Sequence, residues 1–583
     1  MGSAPRHPLG ANARVLLSSV FGPYARDDEH GSRAVNPMEL YHNQVTRVQG
    51  VFSLRMFHRS WGLMLIQANI DARCTLLDFP TLGRFVEELR SHRYDVIGIS
   101  AILPNVGKVA KMCALIREHQ PHAAIVVGGH VANSPRLSDR IDADHIVKGE
   151  GVRWFRGFLG QDLGAPIRHP LILSAVETRT LGVRLRPRRG QTAATLIPGV
   201  GCPMACDFCS TSAMFGGKGS SISFYRTGDE LFGVMHELER AMGVRSFFVM
   251  DENFLLRRKR ALRLLELMRA RDKSWSLYVF SSANTLRLYG MEELVGLGIS
   301  WVWMGLEGKQ SAYAKLEGTD TRALVERLQA NGIRVLGSSI IGLPEHTPEN
   351  IDLAIAHAVE HDTEFHQFML YTPIPGTALY ALHLAQGTLL DRTQCPDADA
   401  HGQHRFNFRH AHIPSGSETE LLLRAFRRDF ERNGPSLVRI ARTLLRGWQR
   451  HRDHPEPRVR ERYARECGEL ATVYAGALWA AERWLRGNPD VAARIRRIRR
   501  EIAHEFGWKA RLAGPLVGLV LRAAMLRERR RLRRGHAYEP PTFYETNRPD
   551  PSPGPRHPRL CRFVDPPATL GVHLPGSDQR QTA

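Results

Sequence analysis

Two stretches of the chain alternate short apolar runs with amphipathic segments, a pattern that predicts parallel strands separated by helices. In the first stretch, residues 13–20, 74–78, 95–100, 123–127 and 145–147 read as strands. Helices are predicted at Leu82–Ser91, at Val106–His119 and within residues 40–70. Runs such as Val96-Ile97-Gly98-Ile99 are apolar without alternation, as in strands buried on both faces. The second stretch places strands at 194–197, 246–250, 277–281, 300–305, 335–341 and 365–371. Six repeats suit a partial β/α barrel better than a full eight-stranded one. From 418 to 534 the periodicity is helical and rich in Arg and Ala. The predicted fold is therefore α/β with a C-terminal α-helical extension. A doubly wound, Rossmann-like domain spans 1–160, a linker 161–190 and a partial six-stranded β/α barrel 191–390. A basic helical extension covers 391–535, and the Pro- and Gly-rich stretch 536–583 is expected to be disordered.

In parallel sheets ligands bind beyond the carboxyl ends of the strands. Those ends carry Ser18, Ser100, Gly128-Gly129-His130 and Gly149-Glu150-Gly151 in the first stretch. In the second, the first strand leads to Cys202, Cys206 and Cys209, spaced C-x-x-x-C-x-x-C. Thiolates are soft ligands suited to iron–sulfur clusters or zinc. Three of them leave one iron of a four-iron cluster open to an exogenous ligand, a catalytic rather than a structural arrangement. A zinc site completed by a distant histidine fits the same spacing, and the chain has 26 histidines. The five other cysteines are scattered, so they form no disulfide framework.

The run Gly201-Cys202-Pro-Met-Ala-Cys206-Asp-Phe208-Cys209 resembles the signature of radical S-adenosylmethionine enzymes. In that family the open iron of a 4Fe-4S cluster chelates S-adenosylmethionine, and an electron from the cluster cleaves it to a 5′-deoxyadenosyl radical. The resemblance implies cofactor contacts at further strand ends. Phe208 would neighbour the adenine, and Asp251, Glu252 or Asn253 would meet the amino group in place of the family's Gly-Gly-Glu. Glu307 would hold the ribose or the amino group. Ser339 and Gly342, in Gly337-Ser-Ser-Ile-Ile-Gly342-Leu-Pro-Glu345, would edge the adenine. Tyr371-Thr-Pro-Ile-Pro-Gly-Thr377 resembles the proline-rich turn of the cobalamin-dependent members. The preceding domain resembles their cobalamin-binding domain, which implies cobalamin at Ser18, Ser100, Gly128, Gly129, Gly149 and Glu150. The D-x-H-x-x-G motif that ligates cobalt in many cobalamin proteins is absent. Asp27-Asp28-Glu29-His30-Gly31 has the wrong spacing, so His30 is read as part of a solvated turn and cobalt as lacking a histidine ligand.

The implied reaction is functionalisation of an unactivated carbon of a small-molecule substrate, most commonly methylation. No catalytic residue beyond the cofactor sites is assigned. Oxidation, cyclisation or rearrangement on the same scaffold is an alternative, as is a non-catalytic cobalamin- or lipid-binding protein. A methylthiotransferase would carry a second cysteine set before the motif, where only Cys74 and Cys113 occur. An electron donor such as flavodoxin or ferredoxin is an expected partner. The net charge of +21 is compatible with nucleic acid or anionic lipid. No nucleic-acid-binding module is recognisable, and none is expected as a partner. The apolar run 512–525, followed by a cluster of arginines, has the composition of a helix lying on anionic membrane. Without a signal peptide or a span of roughly 20 apolar residues, the expected location is cytoplasmic, with peripheral contact at the inner face of the membrane.

Overall fold

The structure, a computed structural model, describes residues 5–24, 29–31, 35–307, 316, 319–549 and 558–565. The first domain is built on five parallel strands: β1 (Arg14–Ser19), β2 (Arg73–Asp78), β3 (Val96–Ser100), β4 (Ala124–Gly128) and β5 (His145–Ile146). Their order is 2-1-3-4-5, so the direction of winding reverses between β1 and β3. Alternate residues of β1 enter opposite cores. Leu16 packs with Phe85, Val109 and Met112 of the helices Leu82–Ser91 and Val106–His119. Val15 and Leu17 pack with Leu63, Leu65 and Phe155 of the helices Trp61–Ala68 and Gly151–Phe158. Two buried faces explain the unbroken apolar runs.

The second sheet contains β6 (Ala194–Leu196), β7 (Ser246–Val249), β8 (Ser276–Phe280), β9 (Ile299–Gly305), β10 (Arg334–Ile341) and β11 (Phe365–Leu370). All six are parallel and adjacent in sequence order. The helix Gly228–Met242 between β6 and β7 begins with a capping box, Thr227 and Glu230, and ends at Gly243 with φ +65°. Both are local stop signals that the sequence carries openly. The segment 40–58 of the first domain lies along the seam between β6 and β11. Tyr41 packs edge-on against Phe365 at 5.8 Å, Gln367 donates to Gln44 at 2.9 Å, and His58 stacks on Phe248.

Two expectations are corrected. Residues 161–190 do more than link: Glu177–Thr180 and Val183–Leu185 form a hairpin that pairs with Arg55–Phe57. The stretch 536–583, expected to be disordered, supplies β12 (Phe543–Thr546) and β13 (Arg559–Leu560) to the edge of the first sheet. β12 runs antiparallel to β2. Its Glu545 meets Arg59 at 3.1 Å, and Arg59 also meets the fully buried Asp78 at 2.7 Å. The neighbouring prolines mask this strand locally, and its partner lies more than 460 residues away. The helical extension comprises Glu418–Asn433, Ser436–His451, Pro457–Cys467, Ala475–Trp484, Pro489–Phe506 and Trp508–Arg533. Residues 550–557 and 566–583 of the tail, and Asp27 and Asp28 of the acidic turn, lie outside the described residues.

Candidate functional site

A cavity of about 160 Å³ opens at the carboxyl ends of β3, β4 and β5, and its wall includes Leu17, Gly98 and Phe155. Among the residues expected there, Ser100, Gly128, Gly129, Gly149 and Glu150 line it. A Cβ added to Gly128 would meet only the Val147 carbonyl at 3.8 Å, and one at Gly149 only the Met214 carbonyl at 3.8 Å. These two positions therefore leave a cradle that side chains would fill, and Gly149, at φ +92°, is in addition held in a backbone conformation that favours glycine. Gly129 has a different role. Its φ of +86° and ψ of −173° lie in a region essentially restricted to glycine. A Cβ there would stand 2.5 Å from the Ala101 carbonyl oxygen, so the protein backbone itself requires this glycine. Glu150 accepts hydrogen bonds from Val152 and Arg153 and caps the helix Gly151–Phe158. Ser18 does not line the cavity: its hydroxyl is buried and donates to the Ser19 and Leu77 carbonyls. His30 packs edge-on against Phe21 at 5.9 Å and is likewise not part of the wall.

The sequence reading placed His130 at this strand end without giving it a role, and missed Asn133. His130 Nδ1 and Asn133 Nδ2 are buried without hydrogen-bond partners. Burial holds the His130 imidazole below its usual range, hence neutral. An apolar cavity with an open glycine cradle fits the apolar body of a ligand such as cobalamin; His130 and Asn133 follow the cradle in sequence but are not part of its wall.

Met214 and Phe215 also line this cavity. They end the short helix Ser210–Met214, which starts from Cys209 as its cap, with the Ser212 amide 3.5 Å from Cys209 Sγ. The cluster loop is wound tightly by Gly201 at φ +85° and Ala205 at φ +49°. Cys209 N donates to the Cys206 carbonyl at 3.0 Å, and Ser212 Oγ to the Cys202 carbonyl at 2.5 Å. Burial pushes the Cys202 thiol up to about 11, and the neighbouring Cys209 and Cys206 push it the same way. Among the described residues no three His, Cys, Asp or Glu side chains converge on one ion. A cuboidal cluster binds each thiolate to a different iron, and three thiols on one loop fit it.

The acids after β7 are sorted by their neighbours. Asp251 is bound to Arg260 at 2.6 Å, both largely buried. Glu252 lies by Gly201 and Cys202; its Oε2 is buried without a partner, and burial raises its carboxyl to about 7. Such a carboxylate fits an ammonium group held beside the cluster. Asn253 braces the ends of β7 and β8: it donates to Ser282 at 3.1 Å and accepts from Ser281 at 3.2 Å. Glu307 follows β9, buried, with φ +44°. Phe208 packs against the apolar cluster of Ile341, Leu343 and Tyr371. At Ser339 and Gly342, where the resemblance implies that the backbone edges the adenine, the side-chain positions have other neighbours. The Ser339 hydroxyl is 3.0 Å from His366 Nε2, which lies beside Phe368 and the outer helices. Gly342, at φ +80°, makes room for the Phe406 ring, 2.3 Å from its absent Cβ. The adjacent Ser338, missed because strand register decides it, bonds Trp303 and Gln367, each at 2.8 Å.

Inward-facing rings form an aromatic lumen. Tyr278 stacks with Phe280, Phe280 with Trp303 at 4.9 Å and Trp301 with Phe365 at 5.2 Å. At the amino ends of the strands it widens into a cavity of about 380 Å³, where the Tyr278 hydroxyl is buried outside hydrogen-bonding geometry.

Residues 53–159 match the family model of the B12 binding domain, and residues 196–358 that of the Radical SAM superfamily. The uncharacterized methyltransferase PH0819 of Pyrococcus horikoshii is 26% identical over 355 residues, 55% of this chain and 75% of that protein. The bacteriochlorophyllide d C-12(1)-methyltransferase of Chlorobaculum tepidum is 26% identical over 218 residues, 36% of this chain and 45% of that protein. Among solved structures, the radical S-adenosylmethionine methyltransferase TsrM of Kitasatospora setae, with cobalamin and a 4Fe-4S cluster bound, has a TM-score of 0.45. Identity there is 16%, with 72% of this chain and 88% of that chain covered. The cofactors are cobalamin on the first domain, and S-adenosylmethionine with a 4Fe-4S cluster on the second. The two domains follow in that order, so the chain has the architecture of the cobalamin-dependent radical S-adenosylmethionine enzymes, a B12 binding domain followed by a Radical SAM domain.

Proposed function

We propose that the protein methylates an unactivated carbon of an apolar, unsaturated small molecule held in the aromatic lumen. One observation carries this reading: the helix Ser210–Met214 runs from the third cysteine directly into the wall of the glycine-lined cavity. At about 1.5 Å per residue, the two cofactor sites are separated by less than the length of a small substrate. When bound, the cluster supplies the electron that cleaves S-adenosylmethionine, and cobalamin supplies the methyl group. Cys202, Cys206 and Cys209 hold the cluster, and Glu252 pairs with the amino group of S-adenosylmethionine. Phe208 and Glu307 border the same cofactor. Gly128 and Gly149 admit cobalamin. Trp303, Phe280 and Tyr278 orient the substrate by ring stacking and keep water from the reacting carbon. An external one-electron donor of the flavodoxin or ferredoxin kind belongs to this reading, as does contact with the inner face of the membrane.

Anaerobic reconstitution with S-adenosylmethionine, a reductant and cell-extract metabolites tests it. Formation of 5′-deoxyadenosine together with S-adenosylhomocysteine and a product 14 mass units heavier is expected. 5′-Deoxyadenosine without the heavier product would place the reaction among radical oxidations or rearrangements instead.

A further inference from the structure

The helix Trp508–Arg533 has three distinct faces. At about 100° per residue, Ala510, Gly514, Gly518, Leu521 and Met525 share one side, and all five are buried. That side is cut close to its partner helix Ala475–Trp484. A Cβ at Gly518 would meet the Trp479 ring at 2.5 Å, and one at Gly476 would meet Val517 at 2.6 Å. On the opposite side, Trp508, Leu512, Leu516, Leu519, Val520 and Leu526 fall within an arc of about 120°. These six are exposed, from 37% at Leu526 to 70% at Trp508 and Val520. The row is about 27 Å long at the helical rise.

Between the two sides stand Arg511, Arg522, Arg529 and Arg533, all exposed and within about 40° of one another. Lys509 and Arg527 lie at the far rim of the apolar arc. The helix has one acid, Glu528, which is buried and accepts from Tyr538 at 2.7 Å. Its exposed surface is thus an apolar row flanked by cations and free of negative charge. No helix among the described residues is long and apolar enough to cross a membrane.

We infer that this face docks the enzyme on an anionic lipid bilayer, with the apolar row in the acyl boundary and the arginines at the phosphates. An apolar face with a basic rim has the chemistry of an interfacial helix. A second protein or a second copy would need an acidic border to match the arginines. The position of the face gives the docking a purpose. The turn Leu470–Tyr474 packs on this helix and contributes Tyr474 to the wall of the lumen cavity. A docked enzyme would hold that cavity near the lipid from which an apolar substrate comes. This purpose rests on the functional reading; the docking does not, and its test requires no turnover.

The test is co-sedimentation of the full-length, cluster-loaded protein with vesicles. One set is phosphatidylcholine alone and the other contains phosphatidylglycerol. Each Lys or Arg near an anionic surface contributes about 1 kcal/mol, so the charged vesicles should bind the protein roughly 100-fold more tightly or better. The triple variant L512E/L516E/V520E should lose binding to both, while keeping its iron content and circular dichroism. R511Q/R522Q/R529Q/R533Q should lose only the preference for charge. Equal binding of the intact protein to both vesicle types, or full binding by the triple variant, would overturn the proposal. So would a concentration-dependent dimer in sedimentation velocity that the triple variant abolishes.

Discussion

Asp251 and Glu252 are adjacent acids of similar chemistry, and their neighbours give them different work. Asp251 neutralises Arg260, which is 4% exposed. Glu252 faces the cluster loop with an unsatisfied oxygen. Glu252→Gln should weaken binding of S-adenosylmethionine by about tenfold or more, the worth of a charge-assisted hydrogen bond, with iron content unchanged. Asp251→Asn should instead destabilise the fold by about 3–5 kcal/mol, because it leaves a buried guanidinium uncompensated. Calorimetric titration and unfolding of both variants check this; the opposite pattern would exchange the two assignments. Among the cysteines, Ala at 202, 206 or 209 should abolish the Mössbauer signature of a 4Fe-4S cluster. Ala at 74, 113, 395, 467 or 561 should not, since Cys74, Cys113, Cys395 and Cys467 are buried away from the loop. A full cluster in Cys206→Ala would refute the ligand set.

At the scale of elements, the turn after β4 separates two glycines that the sequence presents as a pair. Gly128→Leu should empty the cavity of cobalamin while iron content and cleavage of S-adenosylmethionine persist. Gly129→Ala should lower stability itself, by roughly 1–3 kcal/mol from its backbone conformation plus the clash with Ala101. Retention of cobalamin by Gly128→Leu would show that the corrin lies elsewhere. His30→Ala should leave the electron paramagnetic resonance spectrum of bound cob(II)alamin unchanged, with no nitrogen splitting to lose. The strand β12 shows a different kind of placement. Arg59, buried between Asp78 and Glu545, ties the carboxyl-terminal stretch to the first domain and covers a sheet edge that would otherwise be open.

Across the whole molecule, several histidines are buried neutral. Burial pushes His58, His169 and His361 down to about 4, and His42 and His401 to about 3. In the unfolded chain each titrates near about 6.5. Below that pH the unfolded state binds more protons, so stability is complete above about 6.5 and falls as the pH drops toward 4. The unfolding midpoint should therefore be lower at pH 5.5 than at pH 7. The gap should narrow in His58→Gln, which removes one of the titrating groups. An unchanged gap would mean that His58 is not buried neutral in the native state.

The sequence by itself determined the two runs of parallel strands, their positions in the barrel and the three-cysteine loop. These depend on local periodicity, caps and a compact cysteine spacing, and each is complete within a few dozen residues. The helices Leu82–Ser91 and Val106–His119 have the predicted bounds, and all six barrel strands fall within one or two residues of their predicted positions. Tertiary structure alone decided which neighbour each polar group meets. It assigned Asp251 to Arg260, turned Ser339 toward His366 and Ser338 toward the lumen, and gave Gly129 to its own backbone. It also brought the segment 40–58 to the barrel seam and β12 to β2. Partners hundreds of residues apart, and side chains that differ only in which way a strand faces them, leave no periodic trace in the chain.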